Sequence, residues 1–223
     1  MEKAKIYNVI ILDKSGSMSS IRKEAVDSVN ETLGAIRSVA KKNPECKQYV
    51  SVVAFCGCEL KNFYTNTIID EVKNIDANDY TPCCTTPLYD AVGCTITKLH
   101  SVMNQEENVT ASVTIITDGY ENASKEFSGR AVKALIEAYK NEGWMFAYIG
   151  ADHDVEAVAF SLSIDNTLQF EKTAAGINAM ASEFRNAYSS WSEEVGESLC
   201  DDTMSKSNKF SLLRAKGRGF FKK

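Results

Sequence analysis

The chain has 223 residues, 44% of them hydrophobic and 25% charged, enough for one well-buried core or at most two small domains. Only 3 prolines and 12 glycines are present, which argues against long disordered or linker stretches, and the longest apolar runs, 9–12 and 49–56, are too short to span a bilayer. The net charge of −5 hides seven basic and no acidic residues in 206–223, so the rest carries −12; such an acidic body excludes broad nucleic-acid binding, although the basic end suits an anionic surface.

Met1-Glu2-Lys3 leads almost directly into residues 6–12, a β-branched run that reads as a buried strand. No signal peptide is recognised, and a cytoplasmic location is expected. Ile21, Ala25, Val29, Leu33, Ile36 and Ala40 then recur at helical spacing and mark one apolar face. Residues 49–55 and 60–69 form two further strand-like runs separated by Gly57 and its neighbours, so a hairpin is expected. Thr86-Pro87 opens a second helix, with proline in the first turn where its missing N–H costs nothing. A strand at 113–117, a helix at 131–140 and a strand at 144–149 follow. A short helix at 155–162, a strand at 167–170 and a long helix carrying Ile177, Met180, Phe184, Ala187, Trp191 and Val195 complete the pattern.

Strands alternating with helices of this length imply right-handed crossovers. The expected fold is therefore α/β and doubly wound. Its six-stranded sheet is mostly parallel, with one antiparallel edge strand from the hairpin and helices on both faces. One domain, residues 1–197, is expected, followed by a basic tail, 198–223. That tail reads as a frayed terminus, an arm packed on the acidic body, or a docking segment.

Seven cysteines are an odd number without the spacing of a disulfide framework. Cys56-Gly-Cys58 and Cys83-Cys84 are the close pairs. A zinc site wants two such pairs or matching histidines, and the chain has only His100 and His153. Reduced, partly buried thiols are expected, without a structural metal on Cys56, Cys58, Cys83 or Cys84.

In open α/β sheets ligands bind beyond the carboxyl ends of the strands. Three segments fall there: Asp13-Lys-Ser15-Gly-Ser17, Thr85-Thr86-Pro-Leu-Tyr-Asp90, and Thr117-Asp118-Gly119. Their polar atoms are hard oxygens, carboxylates from Asp13 and Asp118 and hydroxyls from Ser15, Ser17 and Thr86. This set suits Mg²⁺, with Mn²⁺ or Ca²⁺ as alternatives, and not zinc or copper. Two carboxylates at most neutralise a divalent ion, so an open position would favour an anionic oxygen from outside. Without the other segments, the first would read as a capped turn. Asp152-His153-Asp154 is a second cluster of metal-ligand types, read here as the cap of the helix beginning near Val155.

Asp13-x-Ser15-x-Ser17, the Thr86-Pro-Leu-Tyr-Asp segment and Thr117-Asp118-Gly119, in this order, resemble the metal-ion-dependent adhesion site of von Willebrand factor type A domains. The resemblance covers roughly residues 5–190. It implies that Ser15, Ser17 and Thr86 contact a Mg²⁺-like ion, that Asp13 and Asp118 act largely through water, and that a partner's carboxylate completes the shell. Where related domains often carry glycines before the threonine, this chain has Cys83-Cys84-Thr85, which leaves Thr85 as the alternative ligand to Thr86. The expected function is a metal-dependent protein-binding module, not an enzyme, whose partner presents Asp or Glu. An intracellular adaptor of stress or phosphosignalling complexes is the variant differing in partner only. A Mg²⁺-dependent phosphatase or phosphotransferase is disfavoured, since Ser15 stands where such enzymes want a second aspartate and no phosphate-cradling loop or nucleophile elbow is present.

Overall fold

The structure, a computed structural model, describes residues 4–151 and 154–221. Strand β1 (Ala4–Asp13) is followed by helix α1 (Arg22–Lys42), the hairpin β2 (Cys46–Cys56) and β3 (Glu59–Ile68), and helix α2 (Leu88–Met103). Then come β4 (Val109–Thr117), α3 (Gly129–Asn141), β5 (Met145–Gly150), α4 (Val155–Ser161), β6 (Asn166–Gln169), α5 (Ala174–Cys200) and α6 (Lys206–Arg218). The strands form one sheet in the order β3-β2-β1-β4-β5-β6. Among the described residues only β3 runs antiparallel to its neighbour, at the edge, as the hairpin required.

Side chains alternate across β1. Ile6, Ile10 and Leu12 enter the layer beneath α1 and α5, whereas Tyr7, Val9 and Ile11 enter the layer beneath α2, α3 and α4. Because the side-chain period of a strand is two, a one-residue slip would exchange the two layers and part Asn8 from Ser112 and Gln48, so this polar pairing helps fix the register. Asn8, on the buried stretch, is satisfied within the sheet: Ser112 Oγ donates to its Oδ1 at 2.7 Å and its Nδ2 donates to Gln48 Oε1 at 3.0 Å.

Strand β4 starts four residues earlier than its hydrophobic run suggests, because the buried positions Thr110 and Ser112 in its first half are polar. Thr110 Oγ1 donates to Gly143 O at 2.9 Å and Ser112 to Asn8, so these hydroxyls enter the sheet with partners. The basic end is also ordered into the fold. Residues 198–200 continue α5, and Ser205 caps α6. Leu213 and Phe220 are buried in the α1/α5 layer, the latter against Phe184 and Trp191, and Lys216 pairs with Glu194. Of the readings of this segment, packing on the acidic body describes residues 206–221. Among the described residues, no helix is long and apolar enough to cross a membrane.

Candidate metal centre

Strands β1 and β4 are adjacent, and the chain leaves them toward opposite faces of the sheet: to α1 from one, to α3 from the other. This is the topological switch point, where the carboxyl ends of the strands open a crevice. Asp13 closes β1 there with no solvent exposure. Its Oδ1 accepts the Ser15 N–H at 2.7 Å and its Oδ2 accepts the Thr117 hydroxyl at 2.7 Å, so both oxygens hold the loop to β4. Residues 16–21 then form a short 3₁₀ helix anchored by buried Met18 and Ile21. Ser15 stands at its N-cap position but makes no side-chain capping bond. Its Oγ lies instead 3.1 Å from Ser17 Oγ, and Ser17 donates to Asp118 Oδ1 at 2.6 Å. The capped-turn reading therefore does not describe these serines.

Thr86 arrives from the other side. Pro87, at the N-cap of α2, offers no side-chain acceptor, so the free N–H groups of the first turn need partners from elsewhere. They find them in the loop after β4. Glu121 Oε2 accepts Tyr89 N–H at 2.9 Å and Ser124 Oγ accepts Asp90 N–H at 3.1 Å, while just ahead of the helix Asn122 Oδ1 accepts the Thr86 N–H at 2.9 Å. In return, Asp90 accepts the backbone N–H groups of Lys125, Glu126 and Phe127 at 2.7–2.9 Å. The second and third segments are thus bound together by side chains capping each other's backbone.

A methyl group placed on Gly119 would lie 3.6 Å from Ser17 Oγ and 3.9 Å from Thr86 Oγ1. Both hydroxyls therefore face one point beside Gly119, together with Asp118 through Ser17. Thr85 faces away, with Oγ1 directed at Gly57, while Thr86 is buried and Thr85 exposed. The structure brings Asp13, Ser15, Ser17, Thr86 and Asp118 to one crevice.

No protein-family model matches the sequence, and no curated protein sequence does. Solved structures do resemble the fold. A von Willebrand factor type A protein from Catenulispora acidiphila aligns at 12% identity and a TM-score of 0.58, over 83% of this chain and 42% of that one. The vWF domain of the type V pili tip protein Mfa5 from Porphyromonas gingivalis aligns at 11% identity and 0.55, over 81% and 95%. The manganese-loaded TRAP protein of Plasmodium vivax aligns at 15% identity and 0.53, over 78% and 70%. This chain has the von Willebrand factor type A fold. It spans less than half the length of the first of these structures.

Within this type A fold the five residues suit a hard divalent cation, since every converging donor is a hydroxyl or carboxylate oxygen. The charge balance around them is informative. Burial raises the Asp13 carboxyl above its ordinary value, against the hydrogen bonds from Thr117 and Ser15, and the neighbouring Asp118 adds to the rise. Lys172 Nζ lies 3.0 Å from Asp118 Oδ2, so an ammonium already reaches the crevice. Sequence reasoning missed Lys172, Glu121, Asn122 and Ser124. For the last three a signal existed: a helix opening on Thr-Pro has unmet N–H groups, and Glu-Asn-Ala-Ser directly after Asp118-Gly119-Tyr120 supplies acceptors. Lys172 carried no local signal.

Asp154 caps α4, accepting the Ala157 N–H at 2.9 Å, while Asp152 and His153 lie outside the described residues. The expectation of wholly reduced cysteines is corrected. Cys58 and Cys84 form a disulfide across a Cα–Cα distance of 6.3 Å, and Cys46, Cys56, Cys83, Cys94 and Cys200 stay outside it. The reason is tertiary. The turn of the β2–β3 hairpin meets the loop before Thr86, with Gly57 N–H donating to Thr85 O at 2.8 Å.

Proposed function

We propose that this chain is a protein-binding module working through one divalent ion, Mg²⁺ or in its place Mn²⁺ or Ca²⁺, held by Ser15, Ser17 and Thr86 with Asp13 and Asp118 behind them. The observation that carries this reading is the convergence of the Ser17 and Thr86 hydroxyls beside Gly119 at the switch point. When bound, the ion supplies an electrophilic position open to an oxygen from outside. The donors facing that position are largely neutral hydroxyls, while Asp13 has both oxygens engaged within the fold and Asp118 is shared with Ser17 and Lys172. An anionic oxygen, an Asp or Glu side chain of a partner protein, is the complement of such a site. The manganese-loaded neighbour supports a divalent ion, and the domain of a pilus tip protein supports binding over catalysis.

Tyr120, next to Asp118 and Gly119, is 56% exposed and gives the crevice an aromatic rim of the kind that anchors interfaces. A cytoplasmic compartment belongs to the same proposal, and it requires the Cys58–Cys84 bond to be open there, since reducing compartments keep cysteines as thiols. Calorimetric titration with Mg²⁺ and Mn²⁺ tests the reading. One equivalent should bind, and Asp13→Ala or Thr86→Ala should weaken it by roughly tenfold or more, ~1.4 kcal/mol, with the circular dichroism of the fold retained. Unchanged affinity in both variants would overturn the assignment.

A further inference from the structure

In sequence the four cysteines near the crevice read as reduced thiols without a metal, since matching histidines are absent. In space they meet. The Sγ atoms of Cys56, Cys58, Cys83 and Cys84 all lie within 4.8 Å of one another. A tetrahedral Zn²⁺ with Zn–S distances of about 2.3 Å holds its sulfurs about 3.8 Å apart, so the cluster already has the dimensions of a four-thiolate site. The disulfide uses only Cys58 and Cys84. Cys56 and Cys83 remain as free thiols with sulfurs 3.4 Å apart, at the same spot.

We propose that Cys56, Cys58, Cys83 and Cys84 form a second metal site, separate in chemistry from the oxygen-lined one, that takes Zn²⁺ as four thiolates once the Cys58–Cys84 bond is reduced. The reduction is a two-electron exchange with a dithiol: its two thiols become a disulfide, and Cys58 and Cys84 become thiols. Zn²⁺ then displaces four protons from the four thiols, giving a tetrathiolate of net charge −2.

Three features of the backbone favour this use. First, the two arms stay together without any sulfur bond. Lys14 N–H donates to Phe55 O at 2.7 Å, Cys83 N–H to Lys14 O at 2.8 Å, Gly16 N–H to Cys84 O at 3.0 Å, and Gly57 N–H to Thr85 O at 2.8 Å. The ligands are therefore preorganised when the disulfide opens. Second, the Cys56-Gly-Cys58 turn approaches the other arm so closely that a Cβ on Gly57 would lie 2.1 Å from Thr85 Oγ1. Glycine is what lets the two pairs close on one point. Third, Cys84 has φ +63°, a left-handed conformation that glycine adopts without strain. Its sulfur is bonded to Cys58, and on reduction a metal would give it a partner in that place.

Charge also fits. The Lys14 side chain, itself almost fully buried, brings Nζ to 3.9 Å from Cys83 Sγ and pairs with Glu59. A cation at this distance offsets part of the negative charge of a tetrathiolate. Soft sulfur donors select Zn²⁺ over the hard ions suited to the neighbouring hydroxyls, so the two sites would not compete for one metal. The sulfur cluster shares its backbone with both Lys14–Gly16 and Thr85–Thr86, and its occupancy would hold the two loops that carry Ser15 and Thr86.

The test uses the full chain, reduced with a dithiol that is then removed without chelator or air. After addition of Zn²⁺ and removal of the excess by gel filtration, elemental analysis should find one zinc per chain. Substitution with Co²⁺ should give the sulfur-to-metal charge-transfer and intense visible bands of a tetrahedral tetrathiolate. Cys56→Ser with Cys83→Ser should abolish both, whereas Asp13→Ala should leave both in place. The cobalt spectrum of the unaltered chain does not depend on whether the double variant folds. A reduced chain with four titratable thiols that gives no such spectrum would overturn the proposal, as would zinc retained in the folded double variant. Zinc lost in Asp13→Ala would also overturn it, by placing the ion in the oxygen site. Failure of Mg²⁺ to bind would bear on the oxygen site alone.

Discussion

Lys172 Nζ lies 3.0 Å from Asp118 Oδ2, and the Asp118 side chain is 1% exposed. A buried carboxylate is stabilised by a nearby cation, and an ammonium and a divalent ion at one carboxylate repel each other. In the arrangement described here the lysine supplies the positive charge that an ion would otherwise bring. Lys172→Ala should therefore raise Mg²⁺ affinity by about tenfold, ~1.4 kcal/mol, at low salt, while lowering stability in the absence of the ion. Titration calorimetry and urea unfolding with and without Mg²⁺ measure the two effects. Weaker Mg²⁺ binding in the variant would show that Lys172 supports the ion rather than competing with it.

Glu121 ties the loop after β4 to the start of α2. Its Oε1 accepts the N–H groups of Ala123 and Ser124 at 2.7 Å, and its Oε2 accepts Ser124 Oγ at 2.7 Å and Tyr89 N–H at 2.9 Å. It thereby fixes the loop after Asp118 to the helix that follows Thr86. Glu121→Ala leaves several donors without a charged acceptor and should cost about 2–3 kcal/mol of stability. Because Thr86 loses part of its support, ion affinity should fall as well. If urea unfolding shows the loss but ion titration is unchanged, Glu121 serves stability only.

Asp90 performs the reciprocal task. Burial acts to raise its carboxyl, but the N–H groups of Lys125, Phe127 and Glu126 outweigh that and hold it below the ordinary 3.8. A carboxyl whose folded value is lowered contributes stability that is fully present above its unfolded value and is lost as pH falls through the folded value. Asp90→Asn should destabilise the protein by about 1–3 kcal/mol at neutral pH, because one carboxylate oxygen becomes an amide that cannot accept. The gap between the two proteins should narrow as pH drops below 3.8. A gap independent of pH across that range would mean the ionised form contributes nothing.

Much of this was legible along the chain, for identifiable reasons. The strands that are buried on both faces, such as β1, announce themselves as β-branched runs, and the hairpin is marked by Gly57. The three oxygen-bearing segments each sit at a strand end or helix start, so their meeting followed from the topology of a parallel sheet. What was hidden depends on contacts without local pattern. Buried Thr110 and Ser112 look like loop residues until their partners Gly143 and Asn8 are known. Leu213 and Phe220 lie among basic residues that mask their packing. Cys56 and Cys83 are 27 positions apart and meet only because the β2–β3 turn folds against the loop before α2.

The partner's chemistry is the remaining consequence of the site. Ser17 is exposed beside buried Ser15 and Thr86, so the crevice opens outward at the point where the hydroxyls converge. Contact with a partner would exclude water there and strengthen any charge interaction beyond its value in solution. Since Asp and Glu occur on nearly every surface, specificity must come from the surrounding rim, where exposed Tyr120 is positioned by the Asp154 N–H that donates to its hydroxyl at 3.2 Å. Partner binding should be lost with EDTA and restored by Mg²⁺, and should fail when one partner carboxylate is changed to its amide. Tyr120→Ala should weaken it by about 1–2 kcal/mol while leaving Mg²⁺ affinity of the free chain unchanged. A partner whose affinity survives both EDTA and Asp118→Ala would recognise some other face, and an ion in this crevice would then serve the fold rather than recognition.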